Sequence, residues 1–248
     1  MNPAAAIAIQ MNNEGVELLK KSQYGPAISS FAIALANFKE MLVTDDDETQ
    51  SSTQDESTIR ESWPGQSSYF TCTSSSDCTL SPHTTKSISS SEEMIVLDPN
   101  HRSIIFCRPI ILSKKYDKNS MGAFNKYSFA IIFNIALAHH LGGMNCIKSR
   151  AAKLRKALRL YEFAYSIHMQ DNVQLQITYT LGMVNNLGHI RETLGEQQKA
   201  QQCFQQLLST LMYVMQESGE KSCKGEWDIF LHNITHLVLR NTAMATAA

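Results

Sequence analysis

"NNLGHIRETLGEQQKAQQCFQQLL", residues 185–208, is polar, free of proline and helical in period, yet carries two glycines. A glycine inside a helix costs about 0.5–1 kcal/mol relative to alanine, so Gly188 needs a physical reason. A second stretch with the same spacing supplies one. In "NNEGVELLKKSQYGPAISSFAIAL" (12–35), Gly15 is followed by Ala27 at twelve residues and Phe31 at sixteen, just as Gly188 is followed by Ala200 and Phe204. A third stretch, "FNIALAHHLGGMNCIKSRAAKLRKALRLYEFAY" (133–165), has Ala136 in the glycine's place. It then carries nine extra residues, which put a longer turn at Gly142–Ser149, before Ala157, Tyr161 and Ala164. The spacing predicts antiparallel helix pairs. A small residue on the first helix (Gly15, Ala136, Gly188) faces a small one on the second (Ala27, Ala157, Ala200) where the axes approach. The aromatic one turn on (Phe31, Tyr161, Phe204) fills the wider gap, and Gly195 marks the turn.

Outward from these repeats, composition divides the chain. Residues 1–43 form the first helix pair, with Ala27, Phe31, Ala34 and Leu35 in helical period. From Thr44 nearly half the residues are Ser or Thr, behind the acidic start "TDDDE" (44–48). Such a segment buries too little apolar surface to offset its ordering entropy, so 44–93 is expected to be a disordered insertion. "MIVLDPNHRSIIFCRPIIL" (94–112) places β-branched runs around a Pro-Asn turn signal and reads as a short hairpin or strand, over 94–113. Residues 124–217 carry the second and third pairs. "GEWDIFLHNITHLVLR" is a further amphipathic helix, over 225–242. Its Trp227, Phe230, Ile234 and Leu237 are spaced to cap the apolar end of a repeat stack.

The whole has 248 residues, 43% of them hydrophobic, and a net charge of −1, so it can build a core and is not charged for coating nucleic acid. Its start lacks the basic and apolar run of a secretion signal. The longest apolar stretch, 128–141, falls short of the roughly 20 residues that span a bilayer. A cytoplasmic or nuclear location is expected, without membrane contact. Cys72, Cys78, Cys107, Cys146, Cys203 and Cys223 show neither C-x-x-C nor zinc spacing and are expected to be reduced thiols. The sequon at Asn233 is expected to be void because no secretion signal is read.

The paired spacing resembles tetratricopeptide repeats (TPR), over three repeats and roughly 150 residues. The combination of "NNEG", "NIALAHHL", "KALRLYEFAY" and "NNLGHI" also resembles the small TPR proteins abundant in diatoms. Departures are the missing early Trp or Tyr, the missing proline after the second helix, Leu207 at a small-residue site, and about 80 residues between repeats one and two. The resemblance implies an all-α solenoid of three antiparallel pairs plus a capping helix, with the first helix of each pair lining a concave groove.

On those groove helices an asparagine stands two residues before the small position, at Asn13, Asn134 and Asn186, and Asn233 repeats it on the last helix. Asparagine is a poor helix former. One reading has these amides offering donor and acceptor to the main chain of a bound extended peptide, which the resemblance also implies; the other has each amide tying its helix to a neighbouring backbone. His140 and His189 are placed with them at the groove. A clamp for a C-terminal carboxylate, a common TPR use, lacks its cations: Ile9, Gly182 and Asn186 stand where positive charge is expected.

Lys148, Arg155 and Arg159 share one face of the second pair's second helix, either solvated or a dock for an anionic segment such as the acidic insertion. Phosphorylation at Thr44, Ser52, Ser89 or Ser90 would add negative charge to that insertion. His139–His140 and His232/His236 lack a third metal ligand and read as ordinary helix histidines. No phosphate loop, dinucleotide fingerprint or nucleophile elbow is present, so no cofactor and no enzyme activity are expected. The expected function is a non-enzymatic interaction module or scaffold holding a partner peptide or helix in the groove. The alternative is a helical-repeat RNA-binding protein.

Overall fold

The computed structural model describes residues 3–46, 96–97, 103–113, 121–170, 177–218 and 227–235. The expectations for the Ser/Thr-rich insertion after Asp46, its phosphate acceptors Ser52, Ser89 and Ser90, and Leu237 fall outside the described residues. Within them the protein is helical apart from one short ladder. In chain order come α1 (Pro3–Lys20), α2 (Tyr24–Asp46), β1 (Val96–Leu97), β2 (Ile104–Ile105), α3 (Met121–Met144), a 3₁₀ turn (Ile147–Ser149), α4 (Arg150–Gln170), α5 (Ile177–Thr193) and α6 (Gln197–Ser218). A last helix, α7, spans 228–235. Helix α2 thus runs to Asp46, three residues into the segment expected to be disordered.

Consecutive helices pack as pairs, α1 on α2, α3 on α4 and α5 on α6, and α2 on α3 and α4 on α5 join the pairs in sequence order. Two of the hairpins turn in the same way. After α5, Gly195 takes the left-handed conformation (φ 82°); its N–H donates to Glu192 O (3.0 Å) and the next N–H to Arg191 O (2.8 Å). That is the Schellman arrangement, which satisfies the last carbonyls of the helix. After α1 the same pair of bonds forms, Ser22 N–H to Leu19 O and Gln23 N–H to Leu18 O (both 2.9 Å), around a serine at φ 58°. Ser22 and Gly195 each lie seven residues beyond their repeat's glycine.

The packing inside a pair corrects one expectation. A Cβ placed on Gly15 would lie 2.6 Å from Phe31 Cε1, and one on Gly188 would lie 2.8 Å from Phe204 Cε1. The atoms nearest each glycine belong to the aromatic sixteen residues on, where the alanine twelve on was expected. The cause is the backward lean of helical side chains: each ring covers the level one turn N-terminal to its own Cα, which here is the glycine. Ala27, Ala157 and Ala200 are still buried, and so is Tyr161 opposite Ala136's helix.

Helix α3 is the centre of the molecule, buried on every side from Tyr127 to Met144. That explains why its sequence lacks a polar stripe. Phe38 of α2 stacks on Phe124 (4.9 Å) and Tyr127 (5.7 Å), closing the first pair on α3. At the other end Ile229, Phe230 and Ile234 of α7 are buried. Within 94–113, expected as a short hairpin or strand, a minimal antiparallel ladder puts Val96 opposite Ile105 and Leu97 opposite Ile104. Residues 106–113 continue from β2 as an irregular extended run. None of the described helices is long and apolar enough to cross a membrane.

Candidate functional site

The extended run 103–113 lies across α1, α3, α5 and α7, and one asparagine on each of these helices both accepts from it and donates to it. Ile104 N–H donates to Asn233 Oδ1 (2.7 Å) and Asn233 Nδ2 donates back to Ile104 O (2.8 Å). Asn186 holds Phe106 in the same way (2.8 and 2.9 Å). Asn134 holds Ile110 (2.8 and 2.8 Å), and Asn13 holds Leu112 (2.9 and 2.9 Å). A primary amide presents a carbonyl and an N–H side by side, as one residue of a neighbouring strand does. Four helices therefore act as a discontinuous strand. They hold one edge of the run, while β1 pairs with the other edge at Ile104 and Ile105. The run travels opposite to the order of the repeats, from α7 to α1.

Two further asparagines, not singled out from the sequence, complete the ladder. Asn12 Nδ2 donates to Ile110 O (3.1 Å), the carbonyl Asn134 also holds, and Asn134 Nδ2 reaches Asn12 Oδ1 (2.9 Å). The same triangle recurs at the other end: Asn185 Nδ2 donates to Ile104 O (2.9 Å), which Asn233 also holds, and Asn233 Nδ2 reaches Asn185 Oδ1 (2.5 Å). The signal was the doubled "NN" of residues 12–13 and 185–186 against the single asparagine of "FN" at 133–134. Where the doublet is missing, Phe133 stands in the position of Asn12, and Tyr161 Oη accepts from Asn186 Nδ2 (3.0 Å) instead. There too the gripped residues are four apart, Phe106 to Ile110, rather than two. Pro109, which has no N–H to offer, lies in that gap beside the exposed Arg108.

Side chains of the run are received unequally. Phe106 is buried, with its ring 5.7 Å from Phe230 and edge-on to Tyr179 at 6.1 Å. A Cβ on Gly182 would lie 2.2 Å from Phe106 Cδ1, so the ring occupies a notch in α5 that only glycine leaves open. Ile105, Cys107 and Leu112 are also buried, whereas Ile111 is exposed. Polar contacts pin the ends: Ser103 Oγ donates to Glu192 Oε2 (2.8 Å) and Tyr127 Oη donates to Ser113 O (3.0 Å).

His140 and His189, placed at the groove from the sequence, contact each other. Both are wholly buried, and His140 Nε2 meets His189 Nδ1 at 3.0 Å between α3 and α5. One ring must donate and the other accept, so the two rings cannot both carry a second proton. Burial first, and then its histidine neighbour, hold His140 well below the ordinary value of 6.5. Burial and the cations of Lys156 and Lys153 lower His139 to about 3. Burial pushes the Tyr161 hydroxyl well up, so it stays a neutral phenol beside Asn186.

Among the described residues no group of three His, Cys, Asp or Glu side chains is placed to hold a metal ion. Cys107, Cys146 and Cys203 are thiols, not disulfides. Lys148, Arg155 and Arg159 are exposed, on α4 and the turn before it. Comparison with protein-family models, with curated proteins and with solved structures gives no match to this chain.

Proposed function

We propose that this protein is a non-enzymatic, TPR-like interaction module whose groove holds an extended peptide by its main chain, and that residues 103–113 are the resident occupant. One observation carries the reading. Four asparagines, one per groove helix, each make a donor–acceptor pair with a residue of the same extended run. Main-chain recognition of this kind is the currency of strand addition: backbone hydrogen bonds supply affinity and side-chain pockets supply selectivity. It places no chemistry on the peptide, which suits a scaffold rather than an enzyme. A partner in trans competes with a tethered segment, so access depends on how firmly that segment is seated. The amides that hold the run carry no charge to attract phosphate, and no observation favours the RNA-binding alternative.

The test is a selection of displayed twelve-residue peptides on the full chain carrying Phe106→Ala, which loosens the resident segment and leaves the asparagines in place. Counter-selection uses the same chain with Asn134→Ala or Asn186→Ala added. Peptides that need both asparagines support the reading. Recovery of none, or of binders indifferent to both substitutions, contradicts it.

A further inference from the structure

We infer that the groove selects its ligand by a single aromatic anchor, and that the partner is an extended peptide with phenylalanine at the position Phe106 now fills and an aliphatic residue six positions later. This deepens the peptide-groove reading and rests on it. On the run itself the asparagines bond only to backbone atoms, so they fix direction and register without distinguishing one sequence from another. Selection must come from side chains, and the run offers few that are received closely.

Phe106 is received most closely. Its ring lies against Gly182, with Phe230 and Tyr179 as the other walls. The hypothetical 2.2 Å approach at Gly182 shows that helix and ring share space that any side chain on the helix would take. A glycine mid-helix costs stability unless that space is used. Neither Gly182's conformation nor a turn requires it, since its φ is not in the left-handed region. The space at Gly182 is therefore used by an aromatic on the groove side, here Phe106. It is formed by two repeats together, α5 and α7, as a site for an incoming chain is, and not within one helix pair like Gly15–Phe31 and Gly188–Phe204.

The remaining requirements follow from burial. The residue before the anchor (Ile105) and the one after it (Cys107) are enclosed, so the first must be aliphatic and the second small. Leu112, six residues beyond the anchor, is enclosed at the α1 end. Positions of Arg108 and Ile111 are open to solvent and accept any side chain. The ligand's N-terminal end lies at α7 and its C-terminal end at α1.

The experiment uses fluorescence anisotropy with the full chain carrying Phe106→Ala. Two labelled peptides copy residues 102–114 with Cys107→Ser in both; one keeps Phe106 and the other has alanine there. The resident segment is tethered at an effective concentration of about millimolar, so the unaltered chain should bind neither at micromolar concentration. The Phe106→Ala chain should bind the phenylalanine peptide at least about tenfold more tightly than the alanine peptide, as burial of one aromatic anchor predicts. Adding Gly182→Ala should erase that preference by filling the notch. Equal affinity for the two peptides overturns the aromatic selection and leaves the peptide-groove reading standing; binding of neither by a helical, folded chain overturns both. Should Phe106→Ala not fold, the single Gly182→Ala chain decides. Its resident ring is expelled from the notch, and it should then prefer the alanine peptide or show no preference; a retained preference for phenylalanine refutes the inference.

Discussion

Replacing Asn186 by alanine isolates what one rung of the ladder contributes. The side chain is fully buried. Its removal strips the partner from Phe106 N–H (2.8 Å) and from Phe106 O (2.9 Å), and removes the donor to Tyr161 Oη (3.0 Å). A buried polar group left without a partner costs about 1–3 kcal/mol. Two backbone groups then amount to about 2–6 kcal/mol, and a water entering the vacated space recovers part of it. The expected loss is about 2–4 kcal/mol, a large share of the 5–15 kcal/mol typical of a whole protein. For a chain of this size it should lower Tm by roughly 5–15 °C. Urea unfolding followed by far-ultraviolet circular dichroism reads the first figure and a thermal scan the second. Asn13, half-buried and gripping the run's far end, should cost less when replaced by alanine, about 1–2 kcal/mol on the same per-group scale. If Asn186→Ala changes stability by less than about 0.5 kcal/mol, the range of an ordinary surface substitution, the ladder is not a structural grip and the reasoning fails.

Three other substitutions or conditions probe the scaffold. Ser22 takes the left-handed conformation that glycine occupies at the equivalent turn, so Ser22→Gly should stabilise by about 0.5–1 kcal/mol in urea titration; destabilisation would show that the serine side chain matters more than its φ. Gly188→Ala forces a methyl within 2.8 Å of the Phe204 ring. Overpacking should outweigh the gain in helix propensity and leave a net loss of about 1–2 kcal/mol, and a gain in Tm would contradict the close approach. Burial depresses His140 well below 6.5 and His139 to about 3. The unfolded chain binds protons that the fold refuses, so stability is complete above about pH 6.5 and falls as pH is lowered, by up to about 1.4 kcal/mol per unit for each histidine. Unfolding midpoints at pH 7.5 and 5.5 should differ by about 1–3 kcal/mol in favour of pH 7.5; no change, or the reverse, refutes the neutral burial of these rings.

Much of this was legible in residues 12–35 and 185–208. Equal spacing of glycine, alanine and phenylalanine gave the helix pairs, because two pairs folding alike need the same small residue at the same level. Recurrence also exposed Asn13, Asn134, Asn186 and Asn233, since a poor helix former at four matched sites has a local cause. Three things were not legible. The partner of those amides is the chain's own run at 103–113, and a side chain's hydrogen-bonding capacity says nothing about which backbone meets it across as many as 129 residues. The contact between His140 and His189 joins two helices whose mutual rotation no periodicity fixes. Gly182 read as a missing cation when only helix faces were compared, and as a notch once Phe106 was in view. The misplacement of alanine opposite glycine had a simpler source: helices were matched level for level, without the N-terminal lean of their side chains.

Amide hydrogen exchange of the run, resolved residue by residue by nuclear magnetic resonance in the full native chain, measures the grip itself. The N–H groups of Ile104, Phe106, Ile110 and Leu112 should exchange slowly, with that of the exposed Ile111 fast between two protected neighbours. Uniformly fast exchange from 104 to 112, or protection without that interruption, would mean that the four asparagines do not hold this segment.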